Sequence, residues 1–482
     1  MNKLYATLFL FTFVFGLSSQ NVPVMLHDPY HNDWEEVTQY EQKSLPRSAA
    51  EAVDRILRRA LEEKNSPELM KALIHQGKYE LALDEQNDTL LFHNLQEMVE
   101  KSSDVVEQAV LHSMLGELYL QYYHANRWTI DQRVDLGDFV PADMKEWTRN
   151  IFYQKVTEAL NASIAPESDL LKAEVASYAT VVELGKDSRL YYPSMFDFLA
   201  NRAIELFKQI DTDEDLSRVL ARKNISPASL YAPSEDFVRL SFDPHPAEYG
   251  LWKLETYRKL LASLLEREMK PSVLLTELDK LDYLQVLQQD HDKYARPSLE
   301  KLLEKWEGNE YSVEVIDKMG ALYQNEIWEM PLSDSLQRQE KTRELYELLR
   351  NSIERYPGYA RLSILENRLL QLTQPQLAVS GMKTFPVKGD KRIKVAYQNL
   401  TSLEAKLYRI DSATDVMMAQ YGIDRTIEQK RIFLKDIPVS LPELPAYLQG
   451  ETTFQLDLDR PGAYMLIFQP TPEALLFSTA LH

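Results

Sequence analysis

Four side chains of metal-ligand type fall within seven residues near the start of the chain: His27, Asp28, His31 and Asp33. Their spacing matches no standard site, and Pro29 keeps His27 and His31 from aligning on one helical face. A polar lead-in is the simpler reading. Asp290, His291 and Asp292 also stand side by side. Neighbours on a helix point in different directions, so joint ligation of one ion is not expected. The chain has no cysteine. That removes disulfides, thiolate metal sites and thiol nucleophiles together. The HExxH, GxSxG, P-loop and Rossmann glycine patterns do not occur either. With 74 acidic residues, any chosen carboxylate pair is first of all a solvated face. No catalytic residue, metal ligand or cofactor is assigned, and the chain is expected not to be an enzyme.

Trp128, Trp147, Trp252 and Trp306 sit within or beside helical patterns. They could line a binding groove, but aromatic side chains fill cores first. Asn126-Arg127-Trp128-Thr129-Ile130 is the most distinctive string. Arg127 is expected to pair with an acid between helices and Trp128 to wedge a helical hairpin, so both are read as architectural.

The elements that hold these residues are mainly helical. Glycine is scarce, 14 in 482 residues, roughly half of ordinary usage, and large β proteins need it at their turns. Pro46 followed by Arg47-Ser48-Ala49-Ala50-Glu51 opens one helix, and Ser66-Pro67-Glu68 opens another, with Ser66 as cap. Apolar stripes recur at the helical period: Leu111, Leu115, Leu118 and Tyr122; Met195, Leu199, Ala203 and Leu206; Leu254, Tyr257, Leu261 and Leu264; Leu345, Leu349, Ser352 and Tyr356. Each stripe must be buried against a neighbour. Stacked helical hairpins do this economically. No fixed-period repeat is present, so residues 45–373 read as an irregular, tetratricopeptide-like array of about 10 to 15 helices. Residues 20–44 read as an extended lead-in.

Near Gln374-Pro375 the period changes to two. Ile393, Val395 and Tyr397, then Leu403, Ala405 and Leu407, then Phe454, Leu456 and Leu458 alternate with polar or small residues. Ala463 to Phe468 is continuously apolar, as for a strand covered on both sides. Residues 374–482 therefore read as an all-β sandwich. The run Leu475 to His482 is strand-like without a closing element, so the chain is expected to be the front piece of a longer protein.

Residues 1–19 read as a secretory signal. Lys3 precedes an uncharged apolar run from Leu4 to Leu17, too short to span a bilayer, and Gly16, Ser18 and Ser19 supply a cleavage site. A buried N-terminal helix or a retained anchor is the competing reading. No cysteine follows, so a lipoprotein anchor is excluded. The mature chain is expected in the periplasm or at the surface of a Gram-negative bacterium, with no integral membrane segment. A formal charge of −20 argues against nucleic acid and anionic membrane as partners.

Several strings together resemble one family. They are Leu45-Pro46-Arg47-Ser48-Ala49, Glu62 to Leu73, Leu115-Gly116-Glu117-Leu118-Tyr119 with Asn126-Arg127-Trp128, and Tyr192-Pro193-Ser194-Met195-Phe196. The series is similar to the N-terminal helical region of alpha-2-macroglobulin-like proteins of Bacteroidetes. Ile393 to Ile410 resembles the start of a macroglobulin-type sandwich, and Phe454 to Phe468 a later hairpin of it. The resemblance implies a non-enzymatic scaffold within an endopeptidase inhibitor that traps proteases after they cut a bait segment. Proteases would be partners of the parent protein, and other envelope proteins further ones. Many members use a Cys–Gln thioester, which this chain cannot form. The alternative is a helical-solenoid module that binds a peptide or glycan in the envelope. Asp88-Thr89-Leu90, Asp334-Ser335-Leu336 and Asp411-Ser412-Ala413 resemble the acceptor pattern for O-glycans on exported Bacteroidetes proteins, which would make Thr89, Ser335 and Ser412 acceptors.

Overall fold

The computed structural model describes residues 29–83, 89–135, 137, 139–181, 190, 192–210, 215–331, 334–379, 385–386, 388–410, 431–445, 447–458 and 460–470. The expected signal, His27, Asp28, Ser412 and the run from Leu475 lie outside them. The chain divides into two compact units, one ending at Ser298 and one beginning at Leu299.

The first unit is helical. Its first described helix, α1 (His31–Gln42), lies where an extended lead-in was expected. The prolines of that stretch stand at 23 and 29, ahead of the helix, and leave it unbroken. Trp34 and Val37, one turn apart, are buried in a core shared with the next two helices. In α2 (Pro46–Glu63) proline takes the first helical position, and Ala49, Ala52, Val53, Ile56 and Ala60 form the buried stripe. The helix ends on left-handed Lys64, φ 52°. Asn65, not Ser66, caps α3 (Ser66–Leu83), its Oδ1 accepting the Glu68 N–H at 3.3 Å. Ser66 instead donates its hydroxyl to Glu107 at 2.6 Å.

After α4 (Leu90–Lys101) comes the longest helix among the described residues, α5 (Val105–Ile130). Asp104 caps it by accepting the N–H groups of Val106 and Glu107 at 2.8 and 3.1 Å. Buried residues encircle α5 because α4, α6 (Arg149–Ile164) and α8 (Met195–Lys208) all pack on it. Gly116 makes the α5–α6 approach close: a Cβ there would meet Leu160 Cδ2 at 2.9 Å. Short helices follow in places, namely α7 (Glu167–Leu170), α9 (Leu216–Arg222), α10 (Pro227–Leu230) and α11 (Ser234–Phe237). The unit is completed by α12 (Tyr249–Glu266), which packs on α8 and on α13 (Lys270–Tyr283). The division falls within α14 (Gln289–Lys305).

In the second unit α15 (Ser312–Glu329), α16 (Ser335–Arg355) and α17 (Ser363–Thr373) pack around Val313, Ile316, Leu345, Leu349, Tyr359 and Leu365. Helix gives way to strand at Gln374-Pro375, where proline biases its predecessor out of the helical region. Among the described residues, two small antiparallel sheets follow. One has the order β1 (Gln376–Val379), β2 (Arg392–Gln398), β5 (Gln449–Gln455). The other has the order β4 (Ile432–Ser440), β3 (Ser402–Ile410), β6 (Ala463–Pro470). In β3 the inward Leu403, Ala405 and Leu407 are buried and alternate with half-buried Glu404 and Lys406, as the period of two requires. Both sheets contribute to one core, with Val395 and Tyr397 from β2 beside Leu403 and Ala405 from β3 and Val439 from β4. β6 differs from expectation. Among the described residues it pairs with β3 as an edge strand of its sheet, and along Ala463 to Phe468 only Met465 is buried, the others being half-buried.

Candidate functional site

The most unusual chemistry lies where α8, α12 and α13 meet. The first turn of α8 is set by a capping box: Ser194 and Asp197 satisfy each other's backbone, the Ser194 N–H reaching Asp197 Oδ2 at 2.9 Å. The last turn of α8 then presents Glu205 and Lys208. One turn of α12 presents Lys253 and Tyr257, and one turn of α13 presents Asp279 and Tyr283. In both pairs the spacing of four residues puts the two side chains on one face.

These six side chains form a chain of contacts from solvent inward. Lys208 Nζ donates to Glu205 at 2.7 Å and to both Asp279 oxygens at 2.9 and 3.2 Å. Tyr257 donates its hydroxyl to Asp279 Oδ2 at 2.6 Å. The Tyr257 and Tyr283 rings stack with centroids 6.1 Å apart. Lys253 Nζ sits 4.1 Å above the Tyr283 ring. Glu205 and Asp279 are about two-fifths exposed, at 42% and 39%. Lys253 is 7% exposed, and among the described residues its ammonium has no hydrogen-bond acceptor apart from the ring face.

Burial penalises charge on Lys253, and nearby Lys208 adds repulsion. Glu205 and Asp279 oppose both but do not offset them, so the lysine falls to about 7. Burial and Asp279 push the Tyr257 phenol well above its ordinary range, so it stays a proton donor. On Lys208 the loss from burial is outweighed by Asp279 and Glu205, which hold it charged. At neutral pH the cluster therefore holds a partly deprotonated amine beside a locked phenol–carboxylate pair. Such an amine can take up or release a proton without extreme conditions.

A second buried lysine lies on α13. Lys280 is fully buried, with Nζ 3.4 Å from the Ala232 carbonyl and 4.0 Å over the Phe237 ring. Burial lowers it to about 8 against the pull of Glu277. Glu277 accepts the Ser234 hydroxyl at 2.5 Å.

The residues singled out by sequence lie elsewhere. Arg127 pairs with Asp131, four residues along at the end of the same helix, Nε to Oδ2 3.3 Å. Trp128 is 83% exposed and wedges no hairpin. It follows Arg127 on the last turn of α5, on the face that the neighbouring helices leave open. Trp147 does fill core, donating Nε1–H to the Pro141 carbonyl at 2.8 Å. His31 is exposed, and Asp33 is bound to Arg59 at 2.7 Å. His291 is buried, Nδ1 3.3 Å from the Tyr231 hydroxyl. Among the described residues no group of three or more metal-ligand side chains converges, and no helix is long and apolar enough to cross a membrane. Thr89 is half-buried just before α4, and Ser335 begins α16. The structure brings none of these residues to the lysine cluster.

Sequence reasoning missed Lys253, but a signal existed. Lys253 lies four, seven and eight residues before Tyr257, Leu260 and Leu261, all of which are fully buried. A lysine in register with such a stripe is placed inside. Set against protein families, characterised proteins and solved structures, the chain matches none of them.

Proposed function

We propose that this chain is the helical platform and first strand module of an exported, macroglobulin-like protease-trapping protein, and that its own role is to brace and present rather than to catalyse. The observation that carries this reading is the second unit, where three mutually packed helices are followed directly by two antiparallel sheets with one common core. We read those sheets as the facing layers of a macroglobulin-type sandwich. The hydrogen bonds of Gln398 and Asn399 to the carbonyls of Leu372 and Thr373, the latter at 2.7 Å, tie the sheet directly to the helix before it. Charged pairs in the first unit act as struts between helices in the same way, as Arg202 on α8 does with Glu117 on α5. The partners on this reading are endopeptidases, met in the periplasm or at the cell surface.

The reading is tested by mixing the protein, recovered from the envelope of its host, with an active endopeptidase and separating the mixture by size. Co-elution of protease with cleaved protein supports it. A protease that cuts the protein and elutes alone overturns it.

The exposed apolar side chains Trp128, Val134 and Phe139, at 83%, 78% and 61%, favour a second reading, a helical module that binds a peptide or glycan. Loss of peptide or glycan capture on Trp128→Ala would separate the two.

A further inference from the structure

We propose that the peptide bond between Asp243 and Pro244 is a self-cleavage site, at which the Asp243 carboxyl attacks its own main-chain carbonyl and frees Pro244 as a new N-terminus. The inference is independent of the protease-trapping reading. It rests on three features that meet at one bond. Asp243 sits in the left-handed region, φ 39°. A residue before proline is pushed by the proline ring toward extended backbone, so the chain here is strained. The Asp243 carbonyl oxygen accepts a hydrogen bond from Lys223 Nζ at 2.6 Å. That contact draws electrons from the carbon to be attacked and steadies the charge that grows on its oxygen. The nucleophile belongs to the same residue, and its attack closes a five-membered ring. Asp243 is exposed, and among the described residues no hydrogen bond or ion pair holds its carboxyl.

The bond is anchored on both sides. Phe242 is buried against Phe237, with ring centroids 5.7 Å apart. Beyond the bond, the His245 N–H donates to the buried Glu248 carboxylate at 2.8 Å. Glu248 also pairs with Arg222 at 2.9 Å and with Lys223 at 3.2 Å. One carboxylate therefore fixes both the chain after the bond and the lysine that sits on its carbonyl.

Water is the only co-reactant. The carboxyl oxygen bonds to the Asp243 carbonyl carbon, the bond from that carbon to the Pro244 nitrogen breaks, and the carboxyl proton passes through solvent to the nitrogen. The cyclic anhydride left on Asp243 takes up one water and opens to two carboxyl groups. Because the carboxyl proton is needed on the leaving nitrogen, scission speeds up in mild acid. The two pieces stay associated, since α12, after the break, packs on α8, before it, and Arg267 remains paired with Asp197.

The test follows the purified full chain at pH 6 and 7 on denaturing gels, with intact mass and N-terminal sequencing of the products. A fragment beginning Pro244-His245-Pro246 forms at least about tenfold faster in the folded chain than in urea, and faster at pH 6 than at pH 7. Asp243→Gly keeps the left-handed backbone and the carbonyl but removes the nucleophile, and it stays whole. Lys223→Met slows scission of the folded chain by about tenfold or more. A folded chain that stays whole or breaks no faster than in urea overturns the proposal. So does an undiminished rate in Lys223→Met, or a cut that survives Asp243→Gly, which would belong to a contaminating protease. The comparison of folded with unfolded wild-type chain decides the matter even if neither variant folds.

Discussion

Arg267 and Asp197 form a two-pronged ion pair, Nη2 to Oδ1 2.5 Å and Nη1 to Oδ2 3.1 Å, that ties the end of α12 to the first turn of α8. The same carboxylate, fully buried, accepts the Ser194 hydroxyl at 2.6 Å and its N–H at 2.9 Å. Asp197→Ala would leave Arg267 without its anion and uncap α8 together. The expected loss is about 3–5 kcal/mol by urea denaturation. A loss under 1 kcal/mol would show that the pair is not what holds these helices.

Lys280 gives a stability prediction with a defined sign. Its folded-state value, near 8, lies below the ordinary 10.5. Folding at pH 7 therefore carries the cost of an ammonium buried over the Phe237 ring. That cost is fully present below about pH 8 and fades as pH rises toward 10.5. Lys280→Met should stabilise the chain at pH 7, by on the order of 2 kcal/mol. The gain should shrink across pH 8 to 10.5 in parallel denaturation series. A gain that grows with pH contradicts the assignment.

Gly116 lets α5 and α6 approach. A Cβ at that position would lie 2.9 Å from Leu160 Cδ2 and 3.5 Å from Ala159 Cβ. Gly116→Val forces the helices apart or pushes Leu160 off its rotamer, at a cost of about 1–3 kcal/mol. Thermal unfolding measures it. Leu160→Ala in the same chain should recover part of the loss by making room, and an unchanged double variant would place the strain elsewhere.

Two tryptophans of similar sequence context should behave oppositely. Trp147 is 7% exposed and Trp128 83%. Trp147→Ala should cost about 3–5 kcal/mol, whereas Trp128→Ala should stay within about 0.5 kcal/mol. Comparable losses in both would put Trp128 inside a packed hairpin after all.

These contrasts show how much of the molecule is legible in the sequence. Apolar periodicity placed α5, α8, α12 and α16 correctly, and Leu403, Ala405 and Leu407 alternate as period two demands, because each pattern is a local consequence of burying one face. The change of structure at Pro375 was readable for the same reason. α1 was hidden by neighbouring prolines and by a polar sequence whose helical merit is two buried residues, Trp34 and Val37. The lysine cluster was not legible as a site. Its members at 205, 208, 253, 257, 279 and 283 come from three helices, and only their packing brings them together. Trp128 was misjudged because periodicity says which residues share a face, but not which face a neighbour covers.

The most direct measurement of the central claim follows one endopeptidase against two substrates as the protein is titrated in. A steric trap leaves the cleavage of a small chromogenic peptide largely intact while cleavage of a large protein substrate falls toward zero at stoichiometric ratio. Equal retention of both activities, or equal loss of both, would contradict a trapping role for the protein this platform braces.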